Sequence, residues 1–190
     1  MKVFLMFAVV LFAAYSDYDA TKTIRQSKLK KYQMKHEGES EDQAFMKRAL
    51  ELSELAIKDH GDPFGAVVVK DGKVIGEGWN KTRLLTDPSA HAEVDAIKNA
   101  CKNLNVTDLS GCTIYASAEP CPMCLSLIYL TNIKRVYYCI PHDKITSFNK
   151  DLSVAHIYKE LVVPSIKRNI PEVQILSDEV DKYLNNYRSY

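Results

Sequence analysis

His91, Cys121 and Cys124 have the types and the spacing to hold one metal ion. The two cysteines stand three residues apart in Pro120-Cys121-Pro122-Met123-Cys124, so on a helical turn both sulfurs lie on one face. Pro122 suits a first helical turn, which puts the pair at a helix start. His91, in His91-Ala92-Glu93, offers a third ligand from the start of a separate helix. Three protein ligands leave the fourth tetrahedral position of a zinc ion open, the arrangement of a catalytic rather than a structural site. Helix N-termini favour thiolates, and zinc lowers the pKa of water toward ~7. Glu93, two residues past the histidine, can overhang that position and carry protons without ligating. None of His36, His60, His142 and His156 stands at ligand spacing, and a structural zinc would want a fourth protein ligand.

These side chains need elements to position them, and the apolar pattern predicts those elements. Ser40 with Gln43 forms a capping box, Phe45, Ala49, Leu52 and Ala56 follow at helical spacing, and Gly61 is a stop signal. Residues 65–70 read as a strand, Asp71-Gly72 as a hairpin turn and Lys73 to Trp79 as the return strand. A loop through Asp87-Pro88 leads to a helix over Ala90 to Leu104. Thr113 to Ala118 reads as the third strand, a helix starts at Pro122, and Arg135 to Ile140 reads as the fourth strand. A helix near Leu152 to Leu161, a fifth strand near Val173 to Leu176 and a last helix from Asp178 complete the order. The prediction is an α/β protein: a mixed five-stranded sheet with helices on both faces, a three-layer α/β/α arrangement.

The chain has 190 residues, enough for one domain with a substantial core. Lys plus Arg number 25 and Asp plus Glu 24, a net charge of +1 that disfavours a large polyanionic partner such as a nucleic acid. Five cysteines make an odd number, a poor basis for a disulfide framework, and Cys101, Cys112 and Cys139 read as small buried hydrophobes. At the N-terminus, Lys2 precedes an apolar run from Val3 to Ala14, too short to span a bilayer. Ala14-Tyr15-Ser16 puts small residues where a signal peptidase reads. Residues 1–16 are therefore expected to be a signal peptide of an exported protein with no membrane span in the mature chain. The alternative is a cytoplasmic protein with a buried or lipid-resting first segment. Residues 17–39, polar and carrying Lys22, Arg25, Lys28, Lys30, Lys31 and Lys35, read as a linker before a domain over 40–190.

His91-Ala92-Glu93 followed by Pro120-Cys121-Pro122-Met123-Cys124 is the signature pattern of zinc-dependent base deaminases. Over roughly residues 43–190 the chain resembles the cytidine and deoxycytidylate deaminase superfamily, and within it the bacterial guanine deaminase type. The resemblance rests on Pro63 to Val67, Asn80, Asp87 to Val94, Glu119 to Leu125, Ile157-Tyr158-Lys159-Glu160 and the terminal Tyr190. It implies a cytidine-deaminase-like fold, a Zn2+ cofactor, a small nucleobase substrate and hydrolytic deamination. It further implies that Asn80 hydrogen-bonds the purine, Phe64 packs on its ring and Ala92 borders it. In this family Tyr190 would reach a neighbour's site, because homodimers exchange C-terminal segments. One stretch departs from the pattern. The family's Gly-Phe-Asp-Asp, whose second Asp assists proton transfer at the amino group, is replaced by the longer run from Ser147 to His156, in which Asp151 is the candidate for that role. The alternatives are a tRNA adenosine deaminase, a pyrimidine deaminase acting on cytosine, cytidine or dCMP, and a noncatalytic zinc-binding module. Glu93 argues against the last, since a structural site has no use for a proton shuttle.

Overall fold

The computed structural model describes residues 40–170, 172–175, 180 and 184. The expected signal peptide and linker (1–39) and Tyr190 lie outside the described residues. Ser40 opens the first helix, α1 (Glu41–Lys58), through a reciprocal cap: its hydroxyl accepts from the Gln43 N–H and the Gln43 side chain accepts from the Ser40 N–H. The stop differs from expectation by one residue. His60, at φ 58°, takes the left-handed position; its N–H donates to the Ile57 carbonyl, and the Gly61 N–H donates to that of Ala56. Gly61 is required for another reason, because a Cβ there would lie 2.6 Å from the Asn80 carbonyl oxygen.

The hairpin forms as its sequence predicts. Strands β1 (Gly65–Lys70) and β2 (Lys73–Trp79) are joined by Asp71 and Gly72, both at positive φ. β1 also pairs antiparallel with β3 (Thr113–Ala118), and β3 runs parallel to β4 (Arg135–Ile140), giving the order β2-β1-β3-β4. A parallel pair needs a crossover, supplied here by α4 (Pro122–Leu130); α2 (Thr82–Leu85) and α3 (Ala92–Leu104) lie between β2 and β3. Alternate strand residues face opposite layers. Val67, Val69 and Tyr115 pack on Phe45 and Leu52 of α1, and the Tyr115 hydroxyl donates to the Asp42 carboxylate. Ala66, Val68, Ile114 and Ala116 pack on Ala92, Ala96, Ile97 and Ala100 of α3 and on Ile128 of α4. The fold is thus the three-layer α/β/α arrangement expected.

The expected fifth strand is a correction: the sheet has four strands among the described residues. Residues 172–175 form no strand, with Val173 and Ile175 71% and 78% exposed. β-prone composition alone makes no strand without a pairing partner. They belong to a second unit that starts at His142 and contains α5 (His142–Phe148), a 3-10 turn (Lys150–Leu152), α6 (Ala155–Leu161) and a second 3-10 turn (Ser165–Lys167). The helix expected near Leu152 to Leu161 therefore begins at Ala155. Within this unit the Glu160 carboxylate accepts from both the backbone N–H and Nδ2 of Asn169, each at 2.7 Å, so Glu160 braces its own loop. Cys112 is buried and Cys101 half-buried, but Cys139 is exposed on the edge strand β4, contrary to expectation. No described helix is long and apolar enough to cross a membrane.

Candidate metal centre

Helices α3 and α4 begin with the residues that the sequence marks as candidates for the chemistry. His91 is the N-cap of α3 and Cys121 the N-cap of α4, with Pro122 in its first turn. Neither side chain caps its own helix. Each instead turns toward the other: His91 Nδ1 lies 3.6 Å from Cys121 Sγ and 3.6 Å from Cys124 Sγ. All three donor atoms lie within 4.8 Å of one another. Tetrahedral zinc with Zn–N of about 2.05 Å and Zn–S of about 2.3 Å sets the nitrogen and sulfur about 3.5 Å apart. Donor chemistry and spacing both fit that ion.

Electrostatics prepare the same site. A hydrogen bond from Cys124 holds the Cys121 thiol down to about 4, so one thiolate is present at neutral pH. That shared hydrogen bond, together with burial, pushes Cys124 up, and the bond to Cys121 raises His91. Glu93, in the first turn of α3, is only 7% exposed, and burial pushes its carboxyl above the ordinary carboxylate range. A carboxylate that binds its proton more tightly than usual is suited to take one from water and pass it on.

The position of α3 is set by close backbone contact with β2. A Cβ on Gly78 would lie 2.4 Å from both the Ala92 carbonyl oxygen and the Ala96 nitrogen, and one on Gly76 would lie 2.3 Å from the Ala96 carbonyl oxygen. Only glycine lets the helix approach this closely. Asn99 and Asn103 of α3 donate from Nδ2 to the Glu77 and Ile75 carbonyls of the edge strand at 2.8 and 2.7 Å. The strand exit is fastened too. The Lys81 N–H donates to the Ala90 carbonyl at 2.9 Å, and its ammonium reaches Asp95 at 2.6 Å. The same ammonium lies 3.8 Å from the centroid of the Trp79 ring, whose Nε1 donates to Asp59 at 2.8 Å.

The structure brings His91, Glu93, Cys121 and Cys124 together. Ala92 is buried between sheet and helix, and Phe64 is half-buried against the same cluster. The Asn80 backbone N–H donates to the Phe64 carbonyl at 2.9 Å, and its side chain is 2% exposed. Asp151 is exposed in the second unit, on a 3-10 turn capped by Asn149, whose Oδ1 accepts from the Asp151 N–H at 3.0 Å. Sequence reasoning missed Thr82, whose N–H and hydroxyl both donate to Asn80 Oδ1, and the Lys81–Asp95 pair. Asn80-Lys81-Thr82 carried a readable signal, since asparagine side chains commonly accept from the backbone two residues on.

Comparison with known proteins agrees with this geometry. Residues 39–140 match the family described as the cytidine and deoxycytidylate deaminase zinc-binding region. The chain is 45% identical over 138 residues to the guanine deaminase of Bacillus subtilis, a match covering 72% of this chain and 87% of that protein. The X-ray structure of guanine deaminase from the same organism superposes with a TM-score of 0.73 at 40% identity, covering 78% of this chain and 94% of that one. A tRNA-specific adenosine deaminase of Aquifex aeolicus is 42% identical over 94 residues, 50% of this chain and 62% of that protein. With the family match spanning more than half its length and the His91, Cys121 and Cys124 cluster in place, the chain belongs to the zinc-binding cytidine and deoxycytidylate deaminase family.

Proposed function

We propose that the protein hydrolyses the exocyclic amino group of free guanine, giving xanthine and ammonia, with zinc held by His91, Cys121 and Cys124. The observation that carries this reading is the buried Glu93 beside three donor atoms at zinc spacing. Zinc, when bound, supplies the Lewis acidity that makes water nucleophilic at neutral pH. Glu93 takes a proton from the attacking water and delivers it to a ring nitrogen, then takes the second proton from the added hydroxyl and passes it to the departing amino group. Water adds at the amino-bearing carbon, the carbon–nitrogen bond breaks and ammonia leaves. Asn80 donates from Nδ2 to an acceptor of the base, while Phe64 packs on its ring and Ala92 borders it. Asp151 is assigned the second proton relay, and no described residue engages its carboxylate in a hydrogen bond or ion pair. Exposed apolar side chains on α4 and β4, among them Tyr129, Leu130 and Tyr138, suit a homodimer whose exchanged C-terminal segment brings Tyr190 to a neighbour's site.

Guanine is favoured over tRNA adenosine by the degree of likeness over most of the chain. The guanine deaminase match is 45% identical over 138 residues, whereas a tRNA-specific adenosine deaminase of Buchnera aphidicola matches over 148 residues at 30%, and the 42% identity of the Aquifex protein is confined to 94. The net charge of +1 offers little grip on a polyanion. The test is an ammonia-release assay on zinc-loaded protein with guanine, guanosine, cytosine, cytidine, adenine and a tRNA anticodon stem. Guanine should react fastest, at a rate nearly independent of salt. Cys121→Ala should lose the zinc, and Asp151→Asn should keep it yet slow guanine turnover. Deamination of the anticodon stem with no activity on any free base would overturn the reading.

A further inference from the structure

An amide presents an acceptor on one side and donors on the other, and Thr82 decides which side Asn80 offers. The Thr82 N–H and hydroxyl donate to Asn80 Oδ1 at 3.2 and 2.9 Å. A backbone N–H cannot reverse its role, so turning the amide over would set two donors against each other. Both donors hold the amide the same way round, and the hydroxyl, the side chain's own contribution, makes the shorter of the two bonds. Its Nδ2 has no acceptor among the described residues, although the side chain is 2% exposed. A buried donor without a partner is costly, and a ligand acceptor removes that cost. Contacts on both sides place Asn80 next to the metal centre. Two residues before it, Gly78 lies against Ala92; one residue after it, the Lys81 N–H donates to Ala90, the neighbour of His91.

We propose that Thr82 sets the ligand polarity of the site. By fixing Asn80 as a donor, it selects bases that present a ring-nitrogen lone pair or a carbonyl oxygen there, and it rejects those presenting N–H or C–H. The inference rests on the base-deaminase reading above. It names Thr82 as a positioning residue that acts through Asn80.

The test is equilibrium binding to the zinc-loaded, catalytically silent Glu93→Gln protein. The probes are guanine, 7-deazaguanine (a ring nitrogen replaced by C–H) and 2,6-diaminopurine (the carbonyl replaced by an amino group). With Thr82 present, at least one analogue should bind about tenfold more weakly than guanine, since one hydrogen bond is lost and one donor stranded. In Thr82→Val, which has nearly the same shape, that gap should shrink to about threefold or less with zinc content unchanged. Thr82→Ser, which keeps the hydroxyl, should restore the gap, and in an Asn80→Ala background Thr82→Val should have no effect on it. Equal binding of all three bases, or a full gap in Thr82→Val, overturns the role of Thr82. Failure of the zinc-loaded protein to bind any of the three overturns the base-deaminase reading instead.

Discussion

The two faces of the sheet are packed in different proportions of side chain and backbone. Toward α1, large side chains meet: Phe45 and Tyr115 with ring centroids 5.3 Å apart, Tyr115 stacked on Tyr137 at 5.0 Å, and Leu52 behind them. Toward α3, alanines mix with valine and isoleucines, and backbone nearly touches backbone at Gly76 and Gly78, a contact the α1 side makes at Gly65 alone among the described residues. Bulky side chains can shift rotamers to absorb a change, whereas a contact between main chains has nothing to yield. The proposed metal ligand His91 and the proposed proton carrier Glu93 both stand at the start of the helix held by the Gly76 and Gly78 contacts. A site that must hold atoms to a few tenths of an ångström gains from a scaffold without adjustable parts.

Three substitutions test that contrast, ordered by their effect on turnover. Glu93→Gln changes the chemistry and leaves the scaffold alone. It should keep zinc and stay within a few degrees of the parent melting temperature, yet lower turnover by about 10²- to 10⁴-fold. Measured turnover within fivefold of the parent would remove Glu93 from the mechanism. Gly78→Ala changes the scaffold and leaves the chemistry alone. Its Cβ would press on the Ala92 and Ala96 backbone at 2.4 Å, displacing the first turn of α3. A stability loss of about 1–3 kcal/mol should come with at least a tenfold fall in zinc affinity, read by chelator competition. Intact affinity would mean that the Gly78 contact is as tolerant as the aromatic cluster on the other face. Phe45→Leu, in the aromatic cluster, should cost about 1 kcal/mol in denaturant unfolding while turnover per bound zinc stays within twofold. A larger catalytic loss there would couple α1 to the centre and erase the contrast.

The parts legible in the sequence are those whose cause is local. Cys121, Pro122 and Cys124 lie within one helical turn, and His91 and Glu93 are two residues apart, so types and spacing alone point to a shared ion and a proton carrier. The hairpin was readable because Asp71-Gly72 determines its own turn. What escaped depends on distant partners. The segment 172–175 has strand composition, but pairing depends on an edge its own residues do not specify. Cys139 reads as a core residue until β4 is known to be an edge strand. Asn99 and Asn103 look like solvent-facing helix positions, although they cap carbonyls more than twenty residues away in β2. Lys81 and Asp95, fourteen residues apart, look like ordinary surface charges until folding brings them together.

Trp79 is the only tryptophan of the chain, so the intrinsic fluorescence of the protein above the tyrosine band has one source. That source lies between a cation, the Lys81 ammonium 3.8 Å from the ring centroid, and the Asp59 carboxylate that accepts its N–H. Indole emission responds to charge at such short range, and the residue is directly bonded to Asn80. Any rearrangement of the strand exit when a base enters is therefore reported optically, without a label and without a reaction.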